Sequence, residues 1–226
     1  MSAFLDRPIW SALTTGWASK AEGNARAWRL DRDYGVFAAA ADRSAASMAA
    51  LAALVPAGGE LWLVEGEEWP APPGTRWLRT AICVQMVADT ITPGADPGFA
   101  IEPLDESDAP AMFDLATLTQ PGPYVAHTNR LGDFIGVKVD GRLVAMAGER
   151  MAMPDLREVS GVCTHPDHRG RGYAAGLMRV VAERMLARGE MPFLHAYASN
   201  AGAIGLYESL GFRVSRVLTA TVLVRA

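Results

Sequence analysis

Cysteine is scarce in this chain of 226 residues, occurring only as Cys83 and Cys163. Both sit in apolar, strand-like runs, which excludes a disulfide scaffold and leads us to expect a reduced, cytoplasmic setting. Histidine is nearly as rare, with His127, His165, His168 and His195 the full set. No pair of them has metal-ligand spacing, and the cysteines add none, so no metal is expected. A basic surplus is missing too. Lys and Arg total 21 against 25 Asp and Glu, for a formal charge of −4, which argues against a nucleic-acid partner, whose affinity rests on a basic surface. No apolar run reaches the length of a membrane span, and Asp6, Arg7 and Pro8 precede any apolar run, so neither a membrane nor a secretory signal is expected.

What is present is enough apolar material for a sizeable core, at 50% of residues. Turn formers crowd Thr92-Pro93-Gly94-Ala95-Asp96-Pro97-Gly98, and a domain boundary is placed there, giving units 1–96 and 97–226. Upstream, Pro8 to Trp17 has helical apolar spacing, and Asp42 is positioned to cap a second helix ending near Val55. Glu60–Glu65 and Trp77–Val87 read as strands. All six tryptophans lie in this half and are assigned to core or interface filling rather than chemistry.

Downstream, Phe99–Leu104 reads as a strand and Asp108–Leu118 as a helix, followed by a stiff loop over Thr119–Tyr124. Asp140-Gly141 joins Asp133–Val139 to Leu143–Glu149 as a hairpin. Strand Arg157–Thr164, helix Gly172–Arg188, strand Pro192–Ala198, helix Ala201–Leu210 and a terminal strand or hairpin follow. Strands ahead of helices, then strand–helix alternation, predict an α/β (α+β) fold on a mixed sheet.

The densest chemical signal is Arg169-Gly170-Arg171-Gly172-Tyr173-Ala174, between an apolar strand and a helix whose apolar positions repeat at helical spacing. Gly170 and Gly172 let the backbone approach a ligand and adopt positive φ. The helix start adds converging N–H groups and the positive end of its dipole, a combination suited to a pyrophosphate. Arg157, Arg169, Arg171, Arg179, Arg184 and Arg188 make this region locally basic. Arg179, Arg184 and Arg188 are read as a solvated helix face.

Two motifs in order, Val162-Cys163-Thr164-His165-Pro166 running into that turn and Asn200-x-x-Ala203-x-x-Leu206-Tyr207-Glu208-x-x-Gly211-Phe212, resemble the GNAT superfamily of acyl-CoA N-acyltransferases from Phe99 onward. The resemblance implies a sheet splayed between the strands at Val159–Thr164 and Pro192–Ala198, with acetyl-CoA as cosubstrate. Its pantetheine arm would follow Val162, Cys163 and Thr164, its diphosphate would rest on Arg169 to Ala174, and Asn200 would add a hydrogen bond. The Cys163 amide is the expected donor to the reacting carbonyl oxygen, while the Cys163 thiol is read as a buried hydrophobe. Tyr207 is expected to protonate the departing thiolate. Glu158, expected on one strand face with Ser160 and Val162, is the first choice of general base, with Glu149 in reserve.

The acceptor implied is an amine of a small molecule or amino acid. An extra upstream segment resembles relatives with a degenerate GNAT-like first half and the glycine N-acyltransferases, which leaves a longer acyl group open. No second glycine turn of this kind occurs in residues 1–98, so one CoA site is expected. A homodimer through sheet edges is open to such a fold. The rival of another class is a non-catalytic acyl-CoA-binding regulatory module. A dinucleotide-binding domain is disfavoured because its glycine turn follows the first strand of the unit.

Overall fold

Residues 2–95 and 97–226 are described by the computed structural model; Asp96, the expected end of the upstream unit, lies outside them. In chain order the elements are α1 (Pro8–Thr14), β1 (Ala21–Asn24), β2 (Ala27–Leu30), β3 (Ala38–Ala40), α2 (Ala45–Leu54), β4 (Leu61–Glu65) and β5 (Thr75–Val87). Then come β6 (Glu102–Leu104), α3 (Ala109–Thr119), β7 (Phe134–Val139), β8 (Arg142–Met153), β9 (Leu156–Thr164), α4 (Tyr173–Ala187), β10 (Met191–Tyr197), α5 (Ala201–Ser209) and β11 (Arg213–Arg225).

Eight strands form one mixed sheet in the order β4-β11-β5-β10-β9-β8-β7-β6, and β1-β2-β3 form a small separate one. Only the β9–β10 pair is parallel within the large sheet. The boundary expected near residue 96 divides the composition but not this sheet. β5, from upstream, lies between β10 and β11, pairing Phe193–Tyr197 on one edge and Arg213–Arg225 on the other. Left as an edge, this 13-residue strand would expose a row of unpaired amides.

Neighbouring residues of β10 enter two different cores. Phe193 packs with Leu5, Ile9, Leu13, Trp17 and Phe37 from the upstream segments. Leu194 packs on the opposite face with Val159, Met86 and the inner side of α4. That side of α4 carries Leu177, Met178, Val181 and Met185, all within 3% of full burial, at the helical spacing of the sequence. Burying each such side chain stabilises by about 1.5–3 kcal/mol, so α4 is fixed against the sheet and its N-terminus is fixed with it. α2 is capped by Ser44, whose hydroxyl accepts from the Ser47 N–H. Asp42, the expected cap, accepts instead from Ser44 N–H one step earlier.

Two local features shape the sheet. Asp140 (φ 50) and Gly141 (φ 77) make the two-residue turn joining β7 to β8. On β9, one extra residue is inserted opposite β8, because Met146 pairs Cys163 but Gly148 pairs Ser160. Gly161 takes up the bulge at φ +63, where a Cβ would also lie 2.7 Å from the Phe134 ring. The extra residue reverses the alternation of side chains. Val159 and Val162, three apart, pack against the same core, so Glu158 and Val162 do not share the strand face expected for them.

Candidate active site

β9 and β10 hydrogen-bond only over Leu156–Glu158 and Met191–Phe193. Beyond that point β9 stays with β8 through Thr164, while β10 stays with β5 through Tyr197. The sheet therefore opens into a V, in line with the splay implied above. A cavity of about 780 Å³ runs through the opening, from the glycine turn to the upstream segments.

At one end stands the turn. Gly170 (φ +75) and Gly172 (φ +78) are both left-handed, and a Cβ built on either would meet nothing within 4 Å, so open space lies directly before the backbone. The amides of residues 170–175 have no carbonyl partner among the described residues, the first bond of the helix being Gly176 N–H to the Gly172 carbonyl. Arg169 and Arg171 line the cavity, and neither is engaged in an ion pair among the described residues. Unspent donors, a helix dipole and two cationic side chains facing one hollow form an anion cradle that fits a diphosphate.

Along the arm of the V, ladder parity decides which backbone groups face the opening. His165 N–H bonds the Val144 carbonyl, 2.7 Å away, and Cys163 stands two residues back, opposite Met146. The Cys163 amide and carbonyl are thus turned to β8, and the amide expected to meet the reacting oxygen is already used. Trans peptide geometry then turns the Val162 carbonyl and both backbone groups of Thr164 into the opening. The Cys163 thiol is buried, which pushes it up to about 11; Cys83 is raised to about 11 by the same cause. Neither is a thiolate at neutral pH.

Tyr207 on α5 lines the cavity. Burial raises its phenol above the usual tyrosine value, so it is held in the protonated form, the form that can donate. Asn200 caps α5 through its Oδ1, accepting from Ala203 N–H at 3.1 Å, and lines the same cavity. Val162, Thr164, Tyr173 and Ala174 are also on its wall. Every residue expected around the cosubstrate is therefore gathered at one hollow.

Glu158 is the exception. It is 1% exposed and does not line the cavity. Both of its oxygens are taken, by Arg150 Nε and Nη2 at 2.8 and 2.9 Å and by His195 Nδ1 at 2.9 Å. Burial alone would raise its pKa, but the Arg150 guanidinium and the bond to His195 outweigh that and hold it at about 2. So weak a base, sealed from the hollow, does not meet an incoming amine. The reserve, Glu149, is no better placed: it is buried against Arg188, at 2.8 Å, and Arg157. The residues that do reach the hollow there are Arg150 and His195. Of the two histidines before the turn, His165 is 9% exposed, and the Nδ1 of His168 is buried without a hydrogen-bond partner among the described residues.

The far wall of the hollow was not legible from motifs. Phe37, Trp62 and Val64, from the upstream half, line the hollow together with Arg150, His195 and Tyr197. Arg150 also stacks over the Phe37 ring at 4.8 Å. Among the described residues, no group of three or more His, Cys, Asp or Glu side chains could hold a metal ion.

Known proteins agree with this architecture. A family model described as FR47-like protein matches residues 135–222. A crystal structure from Novosphingobium aromaticivorans, of a protein assigned to the GNAT family of acetyltransferases, is 50% identical, with a TM-score of 0.93 and full coverage of both chains. A GCN5-related N-acetyltransferase from Kribbella flavida shares the fold at 18% identity, with a TM-score of 0.69 over 99% of this chain and 96% of that one. Among curated relatives, the [ribosomal protein bS18]-alanine N-acetyltransferase of Salmonella typhimurium is 28% identical over 120 residues, which is 50% of this chain and 80% of that protein. Splayed sheet, glycine cradle and full-length kinship converge, and the chain belongs to the GNAT family of N-acetyltransferases.

Proposed function

We propose that this protein transfers the acetyl group of acetyl-CoA directly to the primary amine of a small molecule or amino acid. The observation that carries this is the continuity of the hollow: the anion cradle at 169–174 opens, past Tyr207, into a chamber closed by upstream side chains. The cradle fits the diphosphate because its amides are unspent and its two glycines leave room for phosphate oxygens. Acetyl-CoA supplies the activated acyl carbon and a thiol leaving group. Val162 and Thr164 offer the strand-like backbone groups that an extended amide chain would pair with, and Asn200 and Tyr173 border the same path. Tyr207 holds a proton on its hydroxyl and gives it to the sulfur as the thiolate departs; general acid catalysis of this kind contributes typically about 10²–10⁴-fold.

The chamber supports a small acceptor. Phe37, Trp62 and Val64 are on its wall, apolar surface suited to a small acceptor. A second reading is favoured by one observation, that curated relatives act on the alanine of a ribosomal protein; a peptide N-terminus would then enter the same opening. The two buried free thiols suit a reducing compartment, and the cytoplasm is the proposed setting. Among the described residues no helix is long and apolar enough to cross a membrane.

The test is release of CoA thiol from acetyl-CoA with a panel of amino acids, small primary amines and a short peptide beginning with alanine. Turnover with a free amine supports the small acceptor, and turnover with the peptide alone shifts the assignment to a protein N-terminus. Tight CoA binding without turnover on any acceptor would leave a regulatory binding module in its place.

A further inference from the structure

An amine must lose a proton as it is acylated, and the carboxylate expected to take it is sealed away. We propose that His195 takes that proton on its Nε2, and that Glu158 acts through it as a positioning residue; this rests on the transfer reaction above. His195 sits on β10 where the V has opened, and it lines the acceptor side of the hollow, with a side chain 10% exposed.

Its two ring nitrogens have different partners. Nδ1 lies 2.9 Å from Glu158 Oε1, an ionised carboxylate that can only accept, so Nδ1 carries the proton. Nε2 lies 3.1 Å from Gln85 Nε2, directly across on β5. The same amide nitrogen also donates to the Leu5 carbonyl at 3.2 Å, so it faces His195 as a donor. The lone pair is therefore on Nε2. A buried carboxylate clamped by a bidentate arginine and a histidine of fixed tautomer, its ring on the wall of the hollow and its Nε2 lone pair held by the Gln85 amide, make an oriented base once that amide swings aside.

Gln85 adds a second observation. It is fully buried, yet among the described residues its Oε1 has no hydrogen-bond partner, and such orphaned atoms are rare in an interior. A half-turn of the amide would present Oε1 to an Nε2 that has just gained a proton. Gln85 can thus bond either protonation state of the ring, donating to one and accepting from the other. The remaining charged or titratable groups around His195 are Arg150 on β8, Cys83 on β5 and Tyr197 beside it on β10. Arg150 is neutralised by Glu158, and the Cys83 thiol is held neutral by burial.

In the step itself, the amine lone pair forms the C–N bond to the acyl carbon while the C–S bond breaks. One amine proton passes to His195 Nε2, and Tyr207 gives its proton to sulfur. Both groups then return to their starting states by exchange with water at the cavity mouth.

The experiment compares His195→Gln and Glu158→Gln with the unaltered protein, using acetyl-CoA and the best acceptor of the panel. His195→Gln is expected to lower kcat/KM about 10²-fold or more, the usual scale of general base catalysis, with the Kd for CoA unchanged as a check on folding. Glu158→Gln is expected to move the acid limb of the kcat/KM profile to lower pH, because an imidazolium loses its carboxylate partner. A packing role for Glu158 would lower activity evenly and leave the limb in place. Separately, ¹⁵N spectra of histidine-labelled protein, with the His195 signal identified by its loss in His195→Gln, should show the proton on Nδ1. Activity within about threefold of the unaltered protein in His195→Gln, an unmoved limb, or a proton on Nε2 would overturn the proposal. Failure of the unaltered protein to acetylate any acceptor would overturn the transfer reaction itself, and this proposal with it.

Discussion

The two ends of the hollow are built by different means. The CoA end is a backbone site: a short continuous segment, residues 162–174, supplies the strand groups, the glycine turn and the start of α4. The acceptor end is a side-chain site, drawing Phe37, Trp62, Arg150 and His195 from distant stretches of sequence. A backbone site constrains residue type through glycine and small residues and so leaves a motif. A side-chain site assembled across the sheet leaves no local spacing. One end can therefore be read from a motif, and the other cannot.

That contrast can be broken in several ways. The largest effect is expected from expressing residues 97–226 alone. Without β5, strands β10 and β11 lose their shared neighbour, and the fragment should show no cooperative thermal transition by calorimetry. A folded fragment that bound CoA would mean that the downstream unit is self-sufficient. Next, Tyr207→Phe should lower kcat by about 10²-fold or more with little change in the Kd for CoA, as read by steady-state kinetics and isothermal titration.

The third prediction concerns acid stability. Glu158 has a depressed pKa in the folded state, at about 2 against 4.5 when unfolded, so the unfolded chain binds the extra proton between those values. Its contribution is complete above about pH 4.5 and is lost as the pH falls toward 2. It amounts to a few kcal/mol at most. Urea melts across that window should flatten in Glu158→Gln, whose neutral-pH stability also falls because Arg150 is left buried without its partner. Fourth, Gly172→Ala places a side chain at φ +78, costing roughly 1–2 kcal/mol of strain and crowding the cradle. CoA affinity should drop about tenfold by titration. The smallest effect is at the other end: Trp62→Leu should raise the acceptor KM a few-fold and leave CoA binding as it is, sharpening the division between the two ends.

Much of the scaffold was legible because it is local. The apolar stripe of α4 and the turn at Asp140-Gly141 each follow from a few adjacent residues, and each appears where expected. What escaped is non-local. β1, β2 and β3 are three- and four-residue strands, Ala-Glu-Gly-Asn, Ala-Trp-Arg-Leu and Ala-Ala-Ala, too short for an alternation to read. The insertion of β5 depends on partners more than a hundred residues away. The β9 bulge turned on one glycine, and nothing in Val159-Ser160-Gly161-Val162 distinguishes a kinked strand from a straight one. That single residue turned Val162 away from the face of Glu158, while Glu158 itself is withheld from an acceptor by Arg150 and His195, which take both of its oxygens. It also left the Cys163 amide bonded to its neighbour.

The place of β5 sets an order of events during synthesis. Its last residue, Val87, is made 138 positions before Arg225, the end of its partner β11. At ordinary elongation speeds the nascent strand therefore waits on the order of ten seconds for a mate. Until translation is nearly finished, its apolar residues have no permanent shelter, and a growing chain in that state is a natural client for ribosome-associated chaperones.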